Sequence, residues 1–98
     1  MSGYALTPTA QADLSDIWDY SALHWSRRKA DEYVRDIRDI CEALAEHRLP
    51  GRDASNIRPG YRKQSCASHV LFYRTRNDGD IEIIRILHQR MDVASHLE

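Results

Sequence analysis

His69 and His88 are the two residues of this chain best spaced for chemistry. His69 precedes the apolar run Val70-Leu71-Phe72-Tyr73, and His88 follows Ile83-Ile84-Arg85-Ile86-Leu87. If these runs are adjacent antiparallel strands, the start of one lies beside the end of the other and the imidazoles are neighbours. A histidine close to Arg62, Lys63, Arg85 or Arg90 suits phosphodiester cleavage: the ring moves a proton while the cations stabilise a pentacoordinate dianion. The competing reading is a pair of rim histidines hydrogen-bonded to the sheet. A metal pair there wants a carboxylate or thiolate as third ligand, and neither His-Glu-x-x-His nor Cys-x-x-Cys occurs, so no metal and no cofactor is expected. The other histidines are His24 and His47, at expected helix ends, and His96 in the C-terminal tail.

Other chemistries lack their residues. Gly3, Gly51, Gly60 and Gly79 are too far apart to build a phosphate-cradling loop, and Gly-x-Ser-x-Gly is missing. Neither Cys41 nor Cys66 has the context of a nucleophile, and without an export signal both are expected to be reduced in the cytoplasm. No run approaches the ~20 apolar residues of a membrane span.

The elements that position these residues follow from spacing. Tyr4-Ala5-Leu6 reads as a short edge strand. Thr7-Pro8 then supplies an N-cap and a first helical position. Ala10, Leu14, Ile17, Trp18, Ser21 and Trp25 form one helical stripe, with Asp13, Asp16 and Asp19 on water-facing sides. Ser26 caps a second helix whose stripe is Ala30, Tyr33, Val34, Ile37, Cys41, Leu44 and Ala45, ending by Pro50-Gly51. So short a connection makes an antiparallel helix hairpin. Residues 52–56 read as a polar loop, after which the period becomes two. Strands are predicted at Tyr61–Ser65, Ser68–Arg74 and Ile81–His88, the last two apolar on both parities and so central. The fold class is α+β, order β-α-α-β-β-β, a helix hairpin on one face of a small antiparallel sheet. The other face and the tail 91–98, with a helical turn starting near Asp92, are left for a partner.

Ninety-eight residues make one domain, 1–98. The net charge of −1 hides a division. Residues 1–56 hold ten acids and seven bases, while 57–90 hold seven bases and three acids, which draws an anionic partner to the second half.

Three ordered segments give this chain a resemblance. They are Arg58-Pro59-Gly60-Tyr61-Arg62, His69-Val70-Leu71-Phe72-Tyr73-Arg74, and Arg85-Ile86-Leu87-His88-Gln89-Arg90-Met91-Asp92, preceded by Leu6-Thr7-Pro8-Thr9-Ala10 with Asp13, Leu14, Ile17 and Trp18. Together they resemble the ParE toxins, over nearly the whole chain. The resemblance implies the ParE/RelE fold and the toxin half of a bacterial type II toxin–antitoxin operon. It implies a ParD-like ribbon-helix-helix antitoxin that binds operator DNA and wraps the toxin with a segment that folds on binding. It also implies inhibition of DNA gyrase by binding, with no catalysis by the toxin. On this reading Arg58, Arg62, Arg74, Arg85, His88 and Arg90 are the candidates for toxicity and target binding, Arg58 and Arg74 also being able to brace loop and sheet. Tyr4, Trp18, Tyr33 and Leu49 are candidate antitoxin anchors.

Two alternatives stand beside it. RelE-type toxins, which share the fold, cut mRNA on the ribosome, and the resemblance would then make His88, Arg90 and Arg62 catalytic. Those nucleases place an arginine at the start of the central strand, where this chain has His69, so the phosphate clamp is missing from its expected place. The other alternative is an inactive remnant that binds antitoxin as a co-repressor.

Overall fold

Thr7 ends the first strand and begins the first helix with the same side chain. In the computed structural model, which describes residues 3–91 and 93–97, its hydroxyl accepts the Ala10 amide at 3.0 Å and donates to the Ile84 carbonyl at 2.8 Å. That second bond ties the helix start to a distant strand. Strand β1 (Tyr4–Leu6) is followed by α1 (Pro8–His24), with Pro8 in the first turn, where its missing N–H costs nothing. Ser26 accepts the Lys29 amide at 3.1 Å and opens α2 (Arg27–Ala45). The helix stops as His47 enters the left-handed region (φ 58), with Arg48 N–H donating to the Ala43 carbonyl.

The remaining elements are β2 (Arg52–Asp53), β3 (Arg62–Cys66), β4 (His69–Thr75), β5 (Ile81–His88) and α3 (Val93–His96). The α+β architecture is the expected one, with the sheet order β1-β5-β4-β3-β2 placing β4 at the centre. Several details differ from expectation. The sheet is mixed, because β1 runs parallel to β5 while the other pairings are antiparallel. A helix hairpin after β1 carries the chain back to its starting end, and a parallel partner at β5 follows. The polar stretch at Arg52 forms a two-residue strand against β3, which a periodicity argument cannot detect at that length.

A register shift falls between Phe72 and Tyr73, which face Arg85 and Ile83, leaving Ile84 over. This bulge sends Ile81, Ile83 and Ile86 into the core under the helices and Ile84 and Leu87 to the opposite side. The helix-side core joins Leu14 and Ile17 of α1 and Ile37, Cys41 and Leu44 of α2 to Leu71, Tyr73 and those isoleucines. Each such side chain contributes roughly 1.5–3 kcal/mol by leaving water.

The opposite face is covered, contrary to expectation. Ala54, Tyr61 and Leu97 close over Phe72 and Leu87, so the 54–61 loop and α3 form a second small core. Tyr61 belongs to that loop and not to β3. The tail therefore packs on its own sheet. The turn expected to start near Asp92 is the helix Val93–His96, Asp92 itself lying outside the described residues. Trp25 departs from the α1 stripe: it is the helix cap, 65% exposed. Asp13 does not face water either, being drawn into an ion pair with Arg85. No helix among the described residues is long and apolar enough to cross a membrane.

Candidate functional site

At the end of the molecule where α1 turns into α2, the helices stand off the sheet and leave a groove of about 470 Å³. Asp13, Asp16, Ile17, Tyr20, Ser21 and Trp25 form its α1 wall, and Tyr33 projects from α2. Ser68, His69, Ile86, His88 and Met91 form the sheet side. Among the described residues, Tyr20, Trp25 and Met91 of the groove and Leu23 of α1 are the large hydrophobic side chains left exposed, Leu23 by 82%. Tyr20 stacks on His24 with ring centroids 3.8 Å apart and meets Trp25 edge-on.

His69 and His88 are direct register partners on β4 and β5, with ring centroids 5.3 Å apart and planes nearly perpendicular. The expected neighbourhood of the two rings is therefore present. Their Nδ1 atoms are both engaged. The Ser68 amide donates to the Tyr33 hydroxyl at 3.2 Å, and that hydroxyl shares a 2.7 Å hydrogen bond with His69 Nδ1. The Arg90 amide donates to His88 Nδ1 at 3.1 Å. Tyr33 thus braces the β3–β4 turn, in which Ala67 takes a φ of 53. Burial, and then His88, push the His69 pKa down, opposed in part by Asp13. Burial likewise raises the Tyr33 hydroxyl, against the bond from Ser68. Both groups are held neutral.

Asp13 reaches the groove from α1, and its carboxylate accepts Arg85 Nε at 2.7 Å, Arg85 Nη2 at 2.9 Å and the Ile86 amide at 3.0 Å. Arg85 also donates to the His96 carbonyl at 2.9 Å, so one guanidinium joins α1, β5 and α3. The ion pair and its hydrogen bonds raise the Arg85 pKa. Asp13 and Asp16 are the lining carboxylates, and among the described residues no lysine or arginine lines the groove. Among the described residues no three His, Cys, Asp or Glu side chains converge to hold a metal ion.

The residues singled out from sequence are scattered by the fold. Arg62 stands opposite Tyr73, four residues or about 13 Å along β4 from His69, and donates to the Pro50 carbonyl at 2.8 Å. Arg74 pairs with Glu82 at 2.7 Å, a brace across the hairpin. Arg58 and Arg90 are exposed, Arg58 on the 54–61 loop and Arg90 just beyond β5. Of the proposed target set, His88 lines the groove and Arg90 meets it through its backbone. Tyr33 is the only one of the antitoxin candidates that lines the groove. Trp18 donates from Nε1 to Asp31 at 2.9 Å, bridging the helices, while Tyr4 and Leu49 pack half-buried on the helix-side core. Cys41 and Cys66 are free thiols. Burial pushes Cys41 up to about 12 and raises Cys66 as well, so both are poor nucleophiles.

Sequence reasoning missed Asp13, Asp16, Tyr20 and Ser68. A signal for Asp13 existed: Arg85 lies among Ile83, Ile84, Ile86 and Leu87, and a cation inside an apolar strand requires an acid.

Comparison with known proteins gives a consistent picture. Residues 4–93 match the family model described as the ParE toxin of the type II toxin–antitoxin system parDE. The chain is 45% identical over 96 residues to Toxin ParE1 of Mycobacterium tuberculosis, covering 98% of each. It is 43% identical over 97 residues to Toxin ParE1 of Caulobacter vibrioides, covering 99% of each. A solved structure described as the chromosomal ParDE TA system from P. aeruginosa superposes with a TM-score of 0.77 at 26% identity, over 90% of this chain and 96% of that one.

Proposed function

This chain belongs to the ParE toxin family of type II toxin–antitoxin systems, and from that premise we propose that it acts in the cytoplasm by binding DNA gyrase and that a ParD-like ribbon-helix-helix antitoxin neutralises it. The observation that carries the choice of binding over RNA cleavage is the lining of the groove around His69 and His88: two aspartates, apolar and aromatic walls, and, among the described residues, no lysine or arginine. A phosphate brought there is repelled where a nuclease must attract it. Loss of one positioned transition-state donor typically costs ~2.7–4 kcal/mol, or about 10²–10³ in rate. Near the rings, Arg85 is committed to Asp13 and Arg62 stands toward the other end of the sheet, while the exposed Arg90 meets His88 through its backbone amide and is not among the residues lining the groove.

The basic residues divide between two roles. Arg58, Arg62 and Arg90 are the ones we assign to the target, a protein that works on DNA and presents phosphate nearby. Arg74 and Arg85 act through the fold, by bracing a hairpin and holding α3. The antitoxin takes the groove and its exposed Tyr20, Trp25 and Met91. Exposed apolar side chains beside a groove are what a partner that folds on binding buries, and the likeness to the chromosomal ParDE TA system from P. aeruginosa supports an antitoxin partner. Operator DNA is then contacted through the antitoxin.

A supercoiling assay with purified toxin and gyrase tests the reading. Loss of supercoiling with accumulation of cleaved DNA is expected, weakened by Arg58→Ala and Arg90→Ala. Undiminished supercoiling together with cleavage of ribosome-bound mRNA would hand the function to the nuclease reading.

A further inference from the structure

His69 and His88 touch across the sheet in a way that tolerates one proton and resists a second. His88 Nδ1 accepts the Arg90 amide, and with the Tyr33 hydroxyl donating to His69 Nδ1 each ring carries its proton on Nε2. Placing a second proton at Nδ1 has a specific consequence on each side. At His88 it sets an N–H against the Arg90 N–H, and at His69 it forces the Tyr33 hydroxyl, already receiving the Ser68 amide, to give up donating.

The charges around the pair offer little relief. From α1 come Asp13, occupied by Arg85, and Asp16 across the groove. From α2 comes Tyr33, with the Asp36 carboxylate near enough to act on it. From β3 comes Cys66, the register partner of His69, and from β5 and beyond come the cations Arg85 and Arg90. Two imidazoliums at 5.3 Å between ring centres would therefore face each other with Asp16 as the groove-lining carboxylate not already paired with Arg85.

We propose that the His69–His88 pair makes the groove proton-sensitive: neutral and apolar at about pH 7.5, cationic and loosened in mild acid. The sign follows from the direction of the His69 shift. Its folded value lies below the unfolded one, so its full stabilisation is present above the unfolded imidazole value of ~6.5 and is lost as pH falls through the folded value. The device belongs to the chain itself and holds whichever partner occupies the groove.

The test is an NMR titration of the imidazole signals, with thermal melts at about pH 7.5 and 5.5, on the full chain and on His88→Asn and His88→Gln. His69 should titrate at higher pH in either folded variant than in the wild type, while His24, His47 and His96 stay put. The wild type should lose melting temperature on acidification, and the variants should lose less. A His69 midpoint unmoved by a folded variant overturns the proposal, as does an acid-induced loss of equal size in wild type and variant. Should neither variant fold, the wild-type curves decide. Two coupled steps support the pair, and two independent single-site curves refute it.

Discussion

Truncating Asp13 to alanine should cost far more than its place on a largely solvated helix suggests. Its carboxylate takes two bonds from Arg85 and one from the Ile86 amide, and the paired side chains are 13% and 20% exposed. Without it the guanidinium keeps only the His96 carbonyl, and the Ile86 N–H keeps no acceptor from α1. Breaking a fully buried pair from one side costs about 3–5 kcal/mol, and the remaining exposure lets water recover part of that, leaving about 2–3 kcal/mol. For a domain of this size each kcal/mol moves Tm by about 4–8 °C, so a drop of about 10–20 °C is expected. Asp13→Asn, which keeps an oxygen for Ile86 but not the charge, should fall between. Replacing both partners with apolar residues, as in D13L/R85M, should restore most of the loss, because an ion pair exchanged whole for packing is nearly neutral. Urea melts of the two singles and the double measure the coupling. A cost for Asp13→Ala under about 0.5 kcal/mol, or singles that add in the double, refutes the view of this pair as the strut between α1, β5 and α3.

Two further tests address positions away from the groove. Gly51 has a φ of 63, and a Cβ there would overlap the hydroxyl of Tyr73, a residue only 3% exposed. Gly51→Ala should cost about 2–4 kcal/mol from the left-handed backbone and the displaced ring together, and an unchanged urea midpoint would show that the turn relaxes freely. Burial alone would raise the Glu82 carboxyl, but bonds from Arg74 and Arg76 outweigh it and hold it below the usual range. Its contribution is thus complete above the unfolded value of ~4.3 and disappears as pH falls through the folded one, so Glu82→Gln should flatten the stability curve on the acid side. Superimposable curves would count against it.

What the sequence made legible was whatever repeats over several residues. The stripes of α1 and α2, the caps at Thr7 and Ser26, and the two central strands each rest on many side chains voting together, and each is in the structure. The adjacency of His69 and His88 was legible for the same reason, being a consequence of antiparallel register. What stayed hidden rests on single residues or on long separations. One extra residue at Ile84 splits the isoleucines of β5 between two cores, and an unbroken apolar run carries no mark of a bulge. The parallel pairing of β1 with β5 joins strands some seventy-seven residues apart, as Tyr4 with Ile81. Trp25 fits the stripe by spacing, yet it falls where the chain turns into α2 and no longer shares the helix direction.

The groove follows from the same few departures from regularity. Because α1 ends before Trp25, the indole is presented at the rim instead of filling the space under the helix. Because Tyr33 is held upright by the Ser68 amide, that space is floored by hydrogen-bonded rings. Because Asp13 turns inward to reach Arg85, the strongest cation near the histidines is cancelled where a nuclease would expose one. Two carboxylates, two phenols and two imidazoles then line a cleft whose remaining walls are largely apolar, and the proposed seating of a polypeptide segment there rests on that lining. A single cation at the start of β4 would shift that balance, since at contact distance in a partly dry cleft one unit charge is worth several kcal/mol. On the reading proposed above, the residue at the start of β4 would weigh on whether this groove grips a phosphodiester or seats a protein segment.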